Sequence, residues 1–166
     1  SAGVPSPLSY ILPHWNWEGT GIQEIPVYVY TSCPEAELFV NGVSQGRLRK
    51  TPSARAEGVQ TENHECRYRL MWEDVKYEKG EIEVVAYGND GKEVARKSIR
   101  TAGKPHHIEV TGGLDFIGQS EIPALKADGK DLCYLTVKVV DKDGNLCPNA
   151  GNLLKFSVSG AASYKA

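Results

Sequence analysis

The sequence predicts an all-β protein: an immunoglobulin-like β-sandwich over residues 1–103, followed by a second, truncated immunoglobulin-like sandwich over residues 104–166. Three observations point there. Apolar and polar residues alternate with a period of two through most segments, so every second side chain faces a buried layer. The 17 Gly and 9 Pro make 26 of 166 residues, about 16%, against roughly 12% in average usage, and they punctuate the chain at short intervals. No segment sustains the 3.6-residue period of a helix.

Taken in order, residues 8–12 start as a strand and run into the aromatic cluster His14-Trp15-Asn16-Trp17, with a turn at Gly19 and Gly21. Residues 25–31 form the cleanest strand, with Ile25, Val27 and Val29 on one face and Tyr28 and Tyr30 on the other. Residues 35–40 and 43–49 flank Asn41-Gly42, the strongest short hairpin signal because both residues tolerate positive φ. Residues 50–63 are polar and read as a loop. Cys66, Tyr68, Leu70 and Trp72 then alternate with polar neighbours, as do Ile82, Val84 and Ala86. Gly88-Asn89-Asp90-Gly91 turns the chain into a last strand near residues 92–101. About seven short strands in roughly 100 residues is the immunoglobulin-like pattern.

Ala102-Gly103-Lys104-Pro105 reads as a linker. Further strands are expected at 108–110, 132–140 and 153–158, with Cys133, Leu135, Val137 and Val139 on one apolar face. This second unit holds only about 60 residues where a sandwich needs roughly 100, hence its incompleteness.

Composition excludes several function classes. The net charge of −2 lacks the basic excess that nucleic-acid backbones demand. No apolar run reaches the roughly 20 residues of a membrane helix, and no basic-plus-apolar leader opens the sequence. Cys33, Cys66, Cys133 and Cys147 contain no C-x-x-C pair, which disfavours structural zinc; free thiols, buried or half-buried, are the expectation for most of them. No catalytic residue, cofactor site or metal site is expected. The histidines His14, His64, His106 and His107 adjoin no nucleophile motif. His106 and His107, if on one strand, point to opposite faces. Asp141-x-Asp143-x-Asn145 spaces its oxygens like a calcium loop, but Leu146 replaces the required glycine, so it reads as a hairpin turn.

Trp15 and Trp17 are the most unusual feature. In an extended segment they share a face. Packing in the core or on a neighbouring domain is one reading, favoured by composition. Direct ligand contact is the other, since a flat indole matches the C–H face of a pyranose.

Ile11-Leu12-Pro13-His14-Trp15-Asn16-Trp17, Ile25-Pro26-Val27-Tyr28-Val29-Tyr30-Thr31-Ser32-Cys33, Glu37-Leu38-Phe39-Val40-Asn41-Gly42 and the junction Thr101-Ala102-Gly103-Lys104-Pro105 carry a resemblance. They are similar to the region just after the catalytic barrel in glycoside hydrolase family 2 β-galactosidases. Met71-Trp72, Gly80-Glu81-Ile82-Glu83-Val84-Val85-Ala86-Tyr87 and Lys126-Ala127-Asp128-Gly129-Lys130-Asp131-Leu132 continue it. The resemblance implies a non-catalytic segment whose catalytic glutamates lie elsewhere, in a (β/α)₈ barrel of the same parent chain. It implies that the Trp15/Trp17 region lies against that barrel and lines the rim of the galactoside pocket. It also implies an exported parent, periplasmic or at the cell surface, with contacts between copies. A stand-alone carbohydrate-binding module and an immunoglobulin-like adhesion or structural module are the competing classes.

Overall fold

The computed structural model describes residues 7–50, 69–112, 126, 128–130, 132–160 and 163. It is all-β; the described residues contain no helix. The chain divides into two compact units, Ser1–Thr101 and Ala102–Ala166.

The first unit has β1 (Leu8–Leu12), β2 (Glu24–Thr31), β3 (Glu35–Val40), β4 (Val43–Arg49), β5 (Arg69–Lys76), β6 (Glu81–Tyr87) and β7 (Glu93–Arg100). They form two antiparallel sheets, ordered β1-β2-β5 and β4-β3-β6-β7. The chain changes sheet after β2, after β4 and again after β5, which is the crossing pattern of an immunoglobulin-like sandwich.

The period-two pattern decides the packing. Ile25, Val27 and Val29 of β2 and Leu70, Trp72 and Val75 of β5 face Ala36, Leu38 and Val40 of β3 and Ile82, Val84 and Ala86 of β6. All are buried in one cluster. Each fully buried Val, Leu or Ile contributes about 1.5–3 kcal/mol of transfer free energy, so this layer is the main source of stability.

Asn41 (φ 48°) and Gly42 (φ 80°) close the β3–β4 hairpin as expected of a type I′ turn. Gly46 (φ 104°) sits at a register shift opposite β3 between Glu37 and Phe39. A left-handed glycine is what a bulge of this kind requires. Its carbonyl accepts the Trp72 indole N–H at 3.1 Å, which ties an exposed edge strand to the core.

The outer face of the four-stranded sheet is a lattice of paired charges. Arg47 donates to Glu35 at 2.8 Å, Arg96 to Glu83 at 2.7 Å and to Glu93 at 2.9 Å, and Arg100 to Glu81 at 3.3 Å. The Ser98 hydroxyl and the Arg100 guanidinium hold the Glu81 carboxyl below its usual range. This is a solvated face, as the alternation of Glu81 and Glu83 with apolar residues predicts.

The second unit holds β8 (His107–Gly112) and β9 (Leu135–Val140), paired antiparallel. β9 starts three residues later than the sequence suggests, and its expected apolar face is only partly covered: Leu135 is 54% exposed, while Val137 and Val139 are half-buried. The strand expected at 153–158 does not form. Residues 151–159 do not take strand conformation, and Leu153 is 85% exposed. A strand exists only where a neighbour takes its backbone hydrogen bonds. The predicted strand segment at Cys66 and Tyr68 lies outside the described residues.

What orders the second unit is the turn after β9. Asp141 is 4% exposed and its carboxylate accepts backbone N–H bonds from Gly103 (2.8 Å), Asp143 (2.9 Å) and Asn145 (2.8 Å), plus the Asn145 amide (3.0 Å). The Gly103 N–H first, then the Asn145 side chain, hold this carboxyl well below the ordinary carboxylate range. Its oxygens are used inside the turn, which explains the calcium-like spacing without a cation. The turn thereby fastens the 102–105 junction to the β8–β9 pair.

Candidate functional site

The segment leaving β1 crosses one end of the first sandwich. It does not stay extended: the strand stops at Leu12 and the chain bends at Pro13 and again at Trp15. Trp15 and Trp17 therefore do not share a strand face, and their environments differ.

Trp15 has no exposed surface. Its indole N–H donates to the Glu78 carbonyl at 2.9 Å, and its ring meets the Tyr77 ring edge-on at 5.2 Å. Its own carbonyl accepts the Thr101 hydroxyl at 2.6 Å, and that hydroxyl accepts the Gly80 N–H at 3.2 Å. One side chain and one carbonyl thus join the β1 exit, the β5–β6 turn and the end of β7. The Tyr77 hydroxyl beside it is buried with no hydrogen-bond partner among the described residues.

Trp17 is half-buried and packs only on the edge of the core. Its indole N–H donates to the His14 carbonyl at 2.7 Å, and its ring stacks on the His14 imidazole with centroids 4.7 Å apart and an 18° interplanar angle. The Asn16 N–H donates to His14 Nδ1 at 3.2 Å. Thr20 donates its N–H and its hydroxyl to the Trp17 carbonyl, at 3.2 and 2.7 Å, and Gly19 (φ 76°) lets the turn close. These bonds fix the Trp17 ring within the loop.

Trp17 lines an open, almost wholly apolar groove of about 470 Å³, together with Leu12, Pro13, Ile22, Glu24, Pro26 and Tyr28. An indole set against an apolar groove can hold the apolar side of a sugar. Sequence reading did not single out Ile22; Tyr28 lies on the outward phase of β2, where the alternation of residues 25–31 puts it.

Other sequence candidates resolve separately. β8 begins at His107, so His106 precedes the strand and alternation does not part the pair; their Nδ1 atoms lie 3.1 Å apart. Among the described residues, no group of three or more His, Cys, Asp or Glu is placed to hold a metal ion. Cys33, Cys133 and Cys147 are free thiols, and Cys66 lies outside the described residues. Among the described residues, no helix is long and apolar enough to cross a membrane.

The strand order and buried layer of the first unit define the class, an immunoglobulin-like β-sandwich, and comparison with known proteins names the family. Residues 22–95 match a domain of unknown function (DUF4982), and residues 119–166 match the glycoside hydrolase family 2 C-terminal domain 5. A β-galactosidase of Bacteroides ovatus is 43% identical over 152 residues, covering 91% of this chain and 15% of the relative. A putative β-glucuronidase of Formosa agariphila is 31% identical, over 96% of this chain and 14% of the relative. A β-glycosidase crystal structure from Bacteroides vulgatus superposes with a TM-score of 0.63 at 29% identity, covering 86% of this chain and 15% of that one. A family 2 member from Bacteroides cellulosilyticus gives a TM-score of 0.57 at 31% identity, over 80% and 15%. The chain belongs to the C-terminal region of glycoside hydrolase family 2. It spans about 15% of the length of these relatives.

Proposed function

We propose that this accessory region serves a β-galactosidase: it braces the catalytic barrel of the parent chain and lines the rim of the sugar site with Trp17. The observation that carries the reading is the pre-set Trp17 ring on an apolar groove. Trp15 belongs to the scaffold of that loop. The 43% identity to a β-galactosidase supports galactosides as the substrate class. The β-glucuronidase relatives make glucuronides the second candidate.

The experiment is steady-state kinetics of the full-length parent with nitrophenyl β-galactoside and β-glucuronide. Galactoside turnover is expected to dominate. Trp17→Ala is expected to raise KM or lower kcat/KM about tenfold, the scale of one lost aromatic contact near 1.4 kcal/mol. Preference for the glucuronide removes the galactoside assignment, and unchanged kinetics for Trp17→Ala removes the rim assignment. The same reading carries export of the parent and contacts between its copies, which cell fractionation and ultracentrifugation test directly.

A further inference from the structure

The two outer faces of the first sandwich are unlike. The four-stranded sheet presents the paired charges described above. The outer face of β1-β2-β5 presents two cross-strand rows: Tyr10, Tyr30 and Arg69, then Leu12, Tyr28 and Met71. Register places these side chains together, opposite in phase to the buried Ile11, Val27, Val29 and Leu70. Tyr10 is 47%, Leu12 45% and Met71 36% exposed. Leu12 and Tyr28 also line the Trp17 groove, so face and groove are one continuous apolar surface.

We propose that this face docks on the catalytic part of the same parent polypeptide; the inference rests on the reading that the chain works inside a longer enzyme. Three observations select that occupant. The relatives carry about 85% of their length outside the matched part (100% less 15%), so a large protein surface exists to cover the face. An aromatic and aliphatic centre with Arg69 at its edge has the make-up of a protein interface, in which Tyr, Met and Arg are enriched. Two of the tyrosine rings already carry cations, Arg69 over Tyr28 at 5.0 Å and Lys97 over Tyr10 at 5.3 Å. A ring face occupied by a cation is not free to stack on a pyranose, which turns the choice away from a polysaccharide platform.

Met71 is the only methionine of the chain and reports on the face directly. The experiment compares peroxide oxidation of Met71 by peptide mass spectrometry in the full-length parent and in the 166-residue chain. Hydroxyl-radical labelling of Tyr10, Tyr30 and Tyr87 is read alongside. Oxidation follows exposure, so a fall from 36% exposed to under a tenth slows Met71 about fourfold or more in the parent. Tyr10 and Tyr30 are expected to be protected in parallel, while Tyr87 on the charged face labels alike in both. If the short chain does not fold alone, the urea-unfolded parent is the reference. Exposure of 36% accounts for about threefold protection of native Met71, and docking requires more than about tenfold. Equal rates in parent and short chain overturn the inference. So does protection that arises in the short chain on raising its own concentration, or on adding a soluble galactan. Galactoside kinetics are a separate readout, so failure of the substrate assignment leaves this result intact.

Discussion

Trp15→Ala tests the division of labour between the two indoles. The side chain is 0% exposed, packs on Tyr77 and donates to Glu78. Truncating a buried Trp to Ala costs about 3–5 kcal/mol in lost transfer energy and cavity formation. Stranding the Glu78 carbonyl adds about 1 kcal/mol. The sum, about 4–6 kcal/mol, is a large share of the 5–15 kcal/mol that holds a typical domain together. Trp17→Ala opens toward solvent and is expected to cost about 1–2 kcal/mol. Urea titration followed by far-ultraviolet circular dichroism reads both. With an m-value near 2 kcal/mol/M, Trp15→Ala moves the midpoint down by about 2–3 M and Trp17→Ala by about 0.5–1 M. Equal shifts, or a Trp15→Ala shift under about 0.5 M, refute the placement of Trp15 as the plug of the sandwich end.

Two further predictions concern the turns. Gly80 has φ 140°, and a Cβ there would stand 2.0 Å from Asn41 Oδ1, which already accepts the Glu81 N–H at 2.8 Å. Gly80→Ala is expected to lose about 1–3 kcal/mol by strain and by displacing Asn41, read as a lowered melting midpoint; an unchanged midpoint contradicts the geometry. The folded Asp141 carboxyl is depressed below its unfolded value near 3.9, so its contribution is complete above about pH 5 and is lost as pH falls through the folded value. Amide exchange at Gly103, Asp143 and Asn145 is expected to be slow at neutral pH and to quicken in strong acid. Asp141→Asn is expected to expose the same amides at pH 7; full protection in that variant removes Asp141 as the organiser of the second unit.

The sandwich was legible because its strands carry their instruction locally. Alternation in residues 25–31, 35–40 and 81–87 assigns each side chain a face before any partner is known. Asn41-Gly42 specifies its own turn through backbone sterics. The second unit was less legible for a reason of the same kind. Leu153, Phe156 and Val158 form an apolar run suited to a strand, yet a strand is a property of two chains in register, and residues 151–159 do not take strand conformation.

The indoles show the boundary most clearly. Residue type alone determined that His14-Trp15-Asn16-Trp17 would matter, because two tryptophans so close together must either be buried or be used. Alternation also determined that Tyr28 and Tyr30 would face away from Val27 and Val29. Only the tertiary structure decided that Trp15 is the plug and Trp17 the groove wall. The choice depends on where Glu78, Gly80 and Thr101 bring acceptor and donor groups to the sandwich end, and these lie 63 to 86 residues away along the chain. It likewise decided that the aromatic outer face is bare on one sheet and charge-paired on the other, since cross-strand register, not composition, sets which side chains become neighbours.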